Sequence, residues 1–374
     1  MLKNSLITIL TALFFTNPCL GNAVVNNTDE PAKGEWAFAL QKAWETEAIG
    51  EDILTQVNAI RIDEKGNIYL VENKLLKIYV LDPEGKLLYS FGKRGEGPGE
   101  IKFPLGFFLE GDHIIVVDLG RFHYFSRTGQ FIKSENPGMM VMPRAFLDDH
   151  RFIMVPQQPE DRKQANDRLQ LFDLESQKRT TITEISAEKQ ATYSSERLVL
   201  RMIDPLTHPT VVVEPHGESL FFGKSDRYLV KKIDLQGNEL LAFSLAGRKQ
   251  KKISEDFLRK RFEGITFNNG KMPKEMVDQM IKASPDQATY FYRIRVDESG
   301  LIYVFISDLA NRQGREIDIF SPTGKYLYHG QIKLTDNYTL RSNLTIRGNI
   351  LCVFAEDEEG ETKLVKYRIK VPKI

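Results

Sequence analysis

Residues 63–70, Asp-Glu-Lys-Gly-Asn-Ile-Tyr-Leu, are echoed more than two hundred residues later by residues 297–304, Asp-Glu-Ser-Gly-Leu-Ile-Tyr-Val. Each phrase is followed by a second: one ends Asp82-Pro83-Glu84-Gly85-Lys86, the other Ser321-Pro322-Thr323-Gly324-Lys325. A unit repeated in this way cannot bury its apolar faces alone and stacks on copies of itself. Aligned on the first phrase, the chain offers six units. Their first tight turns carry Gly66, Gly111, His150 after Asp148-Asp149, Gly217, Gly300 and Gly348. The second turns carry Gly85, Gly129, Gly237 and Gly324, with Ser176-Gln177 in the third unit. Between the turns lie short runs such as Ile114-Ile115-Val116-Val117, rich in the residue types that favour strands. Four strands per unit, A to D, at a spacing of roughly 40 to 50 residues specify a propeller blade. The predicted fold class is all-β: a six-bladed β-propeller with a small helical insertion between blades 4 and 5.

The ends bear on closure. The sixth unit makes strand C through Leu364 to Ile369 and has no outer strand after it. The segment Trp36 to Glu47 is predicted to supply that strand and close the ring, which removes an open sheet edge. Trp36, Leu40 and Trp44 also fit one face of a helix, the competing reading.

Residues 1–23 read as a secretory signal peptide, with Lys3, an apolar run from Leu6 to Phe15 and the small residues Gly21 and Ala23. This leaves residues 24–374 as a single propeller domain carrying the insertion at 248–286, exported to a periplasmic or extracellular location. Cys19 invites a lipoprotein reading, but Asn17 and Pro18 stand where a lipobox has small or aliphatic residues. Export leaves Cys352 as the only cysteine, so stability is expected to rest on burial rather than on a disulfide. The 51 basic residues balance 51 acidic ones, which argues against a nucleic-acid or anionic-membrane partner. No further stretch is apolar for long enough to be expected to cross a membrane.

The Gly-Asn-Ile-Tyr phrase, the Asp-Pro-x-Gly-Lys turn and the segment Phe91-Gly92-Lys93-Arg94-Gly95-Glu96-Gly97-Pro98-Gly99-Glu100-Ile101 together resemble the NHL-repeat propellers of exported bacterial proteins. The resemblance spans nearly the whole mature chain and is sharpest in blades 1 and 5. It implies a TolB-like six-bladed fold and, usually, a binding or scaffolding role. Some proteins of this fold are enzymes, so a hydrolase or lactonase with a metal at the channel mouth is the alternative. Gluconolactonase-like relatives are expected to carry carboxylates and asparagines there, and Asn58 and Asn343 are the only inner-strand asparagines on offer.

Strand alternation sorts the loops onto two faces. The A-to-B and C-to-D turns are short, whereas 92–103, 156–168, 180–208, 247–290 and 307–316 all fall on the B-to-C and D-to-A face, here called the top. Long loops on a rigid scaffold are where binding concentrates, so a peptide, protein, glycan or small anionic ligand is expected on the top. Within the insertion, Ser254 can cap a helix through Phe257, Leu258 and Phe262. Met272, Met276, Val277, Met280 and Ile281 line a second one. The insertion is either a lid packed on blades 4 and 5 or a methionine-rich gripping surface.

The glycine-rich segment 92–100 lacks the Gly-Lys-Ser/Thr ending and the following helix of a phosphate loop. His113, His150 and His216 sit at short bottom turns and only His208 on a top connection, so no metal and no cofactor are expected. Two constellations remain. Arg144, Arg293 and Arg341 start inner strands of blades 3, 5 and 6, where forked guanidinium groups can converge on an anion. Glu72 and Asp118 end strand B of blades 1 and 2, where carboxylates bind calcium or act as a base. The plainer reading is that these arginines and carboxylates pair between blades and hold the ring in register. No catalytic residue is assigned, and the oligomeric state is left open.

Overall fold

The computed structural model describes residues 23–138, 141–156, 167–185, 209–263, 266–267, 270–308, 313–341 and 344–372. Six antiparallel sheets follow one another along the chain. Blade 1 runs Val57–Ile62, Ile68–Glu72, Lys77–Leu81 and Leu87–Phe91 as strands A to D. Blade 5 repeats it with Phe291–Val296, Ile302–Ile306, Gly314–Phe320 and Tyr326–Lys333. Strand A of blades 2, 3 and 4 is Pro104–Glu110, Pro143–Phe146 and Val211–His216. In blade 6 it is split into Thr339–Leu340 and Thr345–Arg347.

The repeated phrase shapes blades 1 and 5 through one side chain each. Asp63 accepts from the amides of Lys65 at 2.9 Å and Asn67 at 2.8 Å and from the Tyr69 hydroxyl at 3.1 Å. Asp297 does the same for Ser299, Leu301 and Tyr303. An aspartate that mimics a turn in this way fixes the A-to-B hairpin and the rotamer of the following tyrosine together. Strand B is buried along its full length in both blades, from Ile68 to Glu72 and from Ile302 to Ile306. A blade wedged between two neighbours has no solvent face, so its middle strands read as continuous apolar runs. The core is accordingly a ring of inter-blade layers. One joins Ile68, Leu70 and Leu81 of blade 1 to Phe354 and Leu364 of blade 6.

Blade 6 is closed by the N-terminal segment, but over a shorter stretch than Trp36 to Glu47. Leu40–Thr46 pairs antiparallel with Thr362–Ile369 as the outer strand. Glu35–Ala37 belongs to blade 5 instead, pairing parallel with its outer strand, Trp36 opposite Gly330. The chain crosses between the two blades at Phe38, whose buried ring packs with Ile317, Ile319 and Ile332. A Cβ on Gly330 would stand 2.8 Å from that ring. Trp36 and Trp44 therefore lie on different sheets, and the helical reading fails because strand pairing satisfies the open edges of blades 5 and 6, which a helix would leave bare. Upstream, Val25–Asn27 adds a parallel fifth strand to blade 4, opposite Phe243 to Leu245. The segment is thus a strap along the outer edges of three successive blades.

The insertion holds two helices, Glu255–Glu263 and Lys274–Ala283. Ser254 Oγ accepts the Phe257 amide at 3.2 Å and caps the first helix as expected. Among the described residues, the apolar cluster of Leu258, Phe262, Met272, Val277 and Met280 is drawn from 253–283 alone. The helices bury their faces against each other, which makes a hairpin with its own small core. It stands on a stalk whose legs are tied by Ile253 N to Asp286 O at 2.9 Å and Ala288 N to Lys251 O at 2.8 Å. Lys251 Nζ fastens the stalk to Asp308 and Glu316 of blade 5 at 2.8 and 2.7 Å.

Candidate functional site

The two carboxylates singled out in the sequence, Glu72 and Asp118, are buried and already engaged. Glu72 Oε1 accepts the Thr55 hydroxyl at 2.9 Å and the Gln56 amide at 2.8 Å, and Oε2 accepts the Leu75 amide at 2.7 Å. Asp118 Oδ2 accepts the Lys102 amide at 2.8 Å, and Oδ1 accepts those of Phe103 and Leu119. Burial opposes ionisation of Asp118, but His123 and these three amides outweigh it and hold the carboxyl below the usual range. Each carboxylate ties its blade's D-to-A connection to the B-to-C turn. They are equivalent in position, as expected, and their chemistry is that of loop clamps.

The three arginines do not share one register. Strand A carries a bulge near its upper end in blades 1, 2, 3 and 5, between Val57 and Ala59, Pro104 and Gly106, Pro143 and Ala145, and Phe291 and Arg293. Arg144 is itself the extra residue and matches Tyr292, whereas Arg293 matches Ala145. One inserted residue changes which side chain occupies a rung, and that offset is not visible in the sequence. Arg341 is exposed and pairs through Nε with Glu356 Oε2 at 2.7 Å, a pairing within blade 6 rather than between blades. Arg293 is half-buried, donates Nη1 to the Leu344 carbonyl at 2.6 Å and lies 5.8 Å from the Phe305 ring.

The charges that act on Arg293 come from residues the sequence reading passed over. Burial pushes its guanidinium down to about 10, with Arg295 the strongest charge acting in the same sense. Arg61 is pushed down to about 9 by burial and by the positive charges of Arg295 and Arg293, with Glu214 opposing. Both remain charged at neutral pH. Arg295 Nη1 bonds Glu214 Oε2, a buried carboxylate of blade 4. The signal was present: the repeated phrase extends three residues upstream, as Ile60-Arg61-Ile62-Asp63 and Ile294-Arg295-Val296-Asp297. An arginine that recurs two positions before the turn aspartate falls on the same inner-strand rung in both blades, Arg61 opposite Tyr69 and Arg295 opposite Tyr303.

Other candidates resolve locally. Asp148, Asp149 and His150 bring ligand atoms together, with His150 Nδ1 2.9 Å from Asp149 Oδ1. Asp148 is filled by the Arg151 guanidinium at 2.6 Å and the Arg151 amide at 2.7 Å, a turn clamp like Asp63. Asn58 is exposed at the blade 1 bulge, and His208 and Asn343 lie outside the described residues. On the top of blades 1 and 2, Ile53, Phe103 and Leu119 are 63%, 59% and 59% exposed.

The fold defines the class: this chain is a six-bladed β-propeller. Residues 48–204 match the family described as 6-bladed beta-propeller, DUF5128. Among solved structures, a Bacteroides fragilis protein described as exported is similar at 15% identity, with a TM-score of 0.57 over 93% of this chain and 100% of that one. A member of the DUF4221 family from Bacteroides vulgatus is similar at 12% identity, with a TM-score of 0.58 over 90% of this chain and 99% of that one. At these identities the likeness concerns the fold alone. No curated protein matches the chain by sequence. No described helix is long and apolar enough to cross a membrane.

Proposed function

We propose that this chain is an exported, non-enzymatic binding propeller that recognises a peptide segment on its top face. Export rests on the leader-like residues 1–23, most of which lie outside the described residues, and on likeness to a protein described as exported. The observation that carries the reading is at Asp118. One oxygen of the buried Asp118 accepts the amides of both Phe103 and Leu119, so the main chain under two largely exposed apolar residues is tied to a single point. Fixed apolar groups in water cost solubility and mark contact surfaces. The helical hairpin rises from the same face, after the last strand of blade 4. Peptide and glycan arrays test the reading. Peptide hits lost in a Phe103→Ser, Leu119→Ser double variant of unchanged thermal stability support it, and hits that survive, or glycan hits alone, refute it. Stoichiometric uptake of calcium or zinc would favour the hydrolase alternative.

A further inference from the structure

We propose that the central channel holds a second site, independent of the top-face surface, in which Arg61, Arg293 and Arg295 bind a compact oxyanion, a carboxylate or phosphate group.

The cluster is built by register. Arg293 and Arg295 are two residues apart on the inner strand of blade 5 and so share a face of it. Arg61 stands on the rung of blade 1 that Arg295 occupies in blade 5. Blade 6 lies between the two blades and touches both, through the Leu344 carbonyl and the Thr345 hydroxyl. The Ile60 carbonyl accepts both Arg61 Nη1 at 3.0 Å and the Thr345 hydroxyl at 2.8 Å, and the neighbouring Leu344 carbonyl accepts Arg293 Nη1 at 2.6 Å. Arg61 and Arg293 are thus tied to one short segment of blade 6, and Arg295, on the same strand face as Arg293, is bonded to Glu214 of blade 4.

The pairing elsewhere in the molecule shows what is unusual here. Arg341 has Glu356, Arg347 has Glu64 and Arg248 has Asp318. Among the described residues, Arg61 and Arg293 have no carboxylate at salt-bridge distance and donate to main-chain carbonyls instead. A guanidinium carries five N–H donors, and forked pairs of them match the spacing of carboxylate or phosphate oxygens. Like charges held together in a confined space repel, and a bound anion relieves that repulsion. A ligand that brings two or three oxygens into the channel therefore completes both the hydrogen bonding and the charge.

Calorimetric titration of the purified protein with inorganic phosphate and, separately, with succinate at constant ionic strength tests the site. Saturable binding of one equivalent of either anion is expected, and which of the two binds assigns the oxyanion. Arg61→Gln and Arg293→Gln should each weaken binding by about tenfold or more, the loss of one charged forked contact. Arg61→Lys, which keeps the charge and the packing, should also weaken it because the fork is gone. Glu214→Gln should tighten binding, since that carboxylate competes for Arg295, a gain that a purely structural role would not produce. Arg341→Gln, and the Phe103→Ser, Leu119→Ser variant, should bind the anion unchanged, so the top-face reading can fail without this one. No saturable binding of either anion, affinity unchanged in folded Arg61→Lys and Arg293→Gln proteins, or weaker binding in Glu214→Gln would overturn the proposal.

Discussion

Trp44 donates its indole Nε1 to the Pro83 carbonyl at 3.0 Å while its ring lies over Gly85, where a Cβ would stand 2.9 Å from it. Pro83 and Gly85 form the outer turn of blade 1, and Trp44 belongs to the strand that completes blade 6. This contact seals the join between the first and last blades. Gly85 has φ +87°, a conformation open to glycine and costly for other residues, and the bare backbone there is what lets the indole approach. Trp44→Ala removes a half-buried aromatic ring and one hydrogen bond. It should lower the unfolding free energy by about 2–3 kcal/mol, read from the denaturant midpoint.

The strap predicts a graded response to truncation. Removing residues through Ala37 strips fifth strands from blades 4 and 5, whose four-stranded sheets stay complete, and should lower the melting temperature while unfolding remains a single transition. Removing residues through Thr46 takes the outer strand of blade 6 itself and opens the ring. Scanning calorimetry of the longer truncation should show a broad or absent transition. Equal melting temperatures for the two would contradict the assignment of closure to Leu40–Thr46.

The helical hairpin is expected to be dispensable for folding, provided the cut respects the stalk. Arg248 Nη2 bonds Asp318 Oδ1, and Lys251 reaches Asp308 and Glu316, so both must remain. Replacing 254–285 with a short Gly-Ser connection should leave far-ultraviolet circular dichroism sheet-like and shift the melting temperature only a few degrees. Arg248→Ala should be far more damaging than the excision, because it leaves a buried carboxylate without its guanidinium partner.

Asp318 also sets a pH dependence. It accepts the hydroxyls of Tyr228 and Tyr326, each at 2.8 Å, and faces His329 Nδ1 at 3.0 Å. The hydrogen bond to Asp318 raises the His329 imidazolium above 6.5 in the folded state, against the opposing effect of burial. A group whose folded value is raised contributes stability that is fully present below its unfolded value and is lost as pH rises through the folded one. The stability difference between the wild type and His329→Gln should therefore be largest near pH 5.5 and shrink on going to pH 8.5. A difference that grows with pH would show that His329 is held neutral.

The ring of six blades was legible in the sequence because the turn aspartate, the positive-φ glycines and the apolar middle strands are local devices, each written in a few adjacent residues. Closure was legible for the same reason: a unit without an outer strand at one end and a spare apolar segment at the other imply one another. The division of that segment among three blades was not, since parallel addition of Val25–Asn27 and Glu35–Ala37 depends on edges left open by distant strands. The glycine phrase at 92–100 gave no hint that Asp118 would gather Phe103 and Leu119. The arginines show the limit most plainly. Sequence spacing put Arg144, Arg293 and Arg341 at similar heights, but a bulge displaces Arg144 from the rung of Arg293, and Glu356 claims Arg341. Arg61 and Arg295 stand on equivalent rungs of blades 1 and 5, with Arg295 bonded to Glu214 of blade 4 and Arg293 to Leu344 of blade 6. Which charges meet across the channel is set by the packing of blades that are remote in sequence, and that packing exists only once the ring is closed.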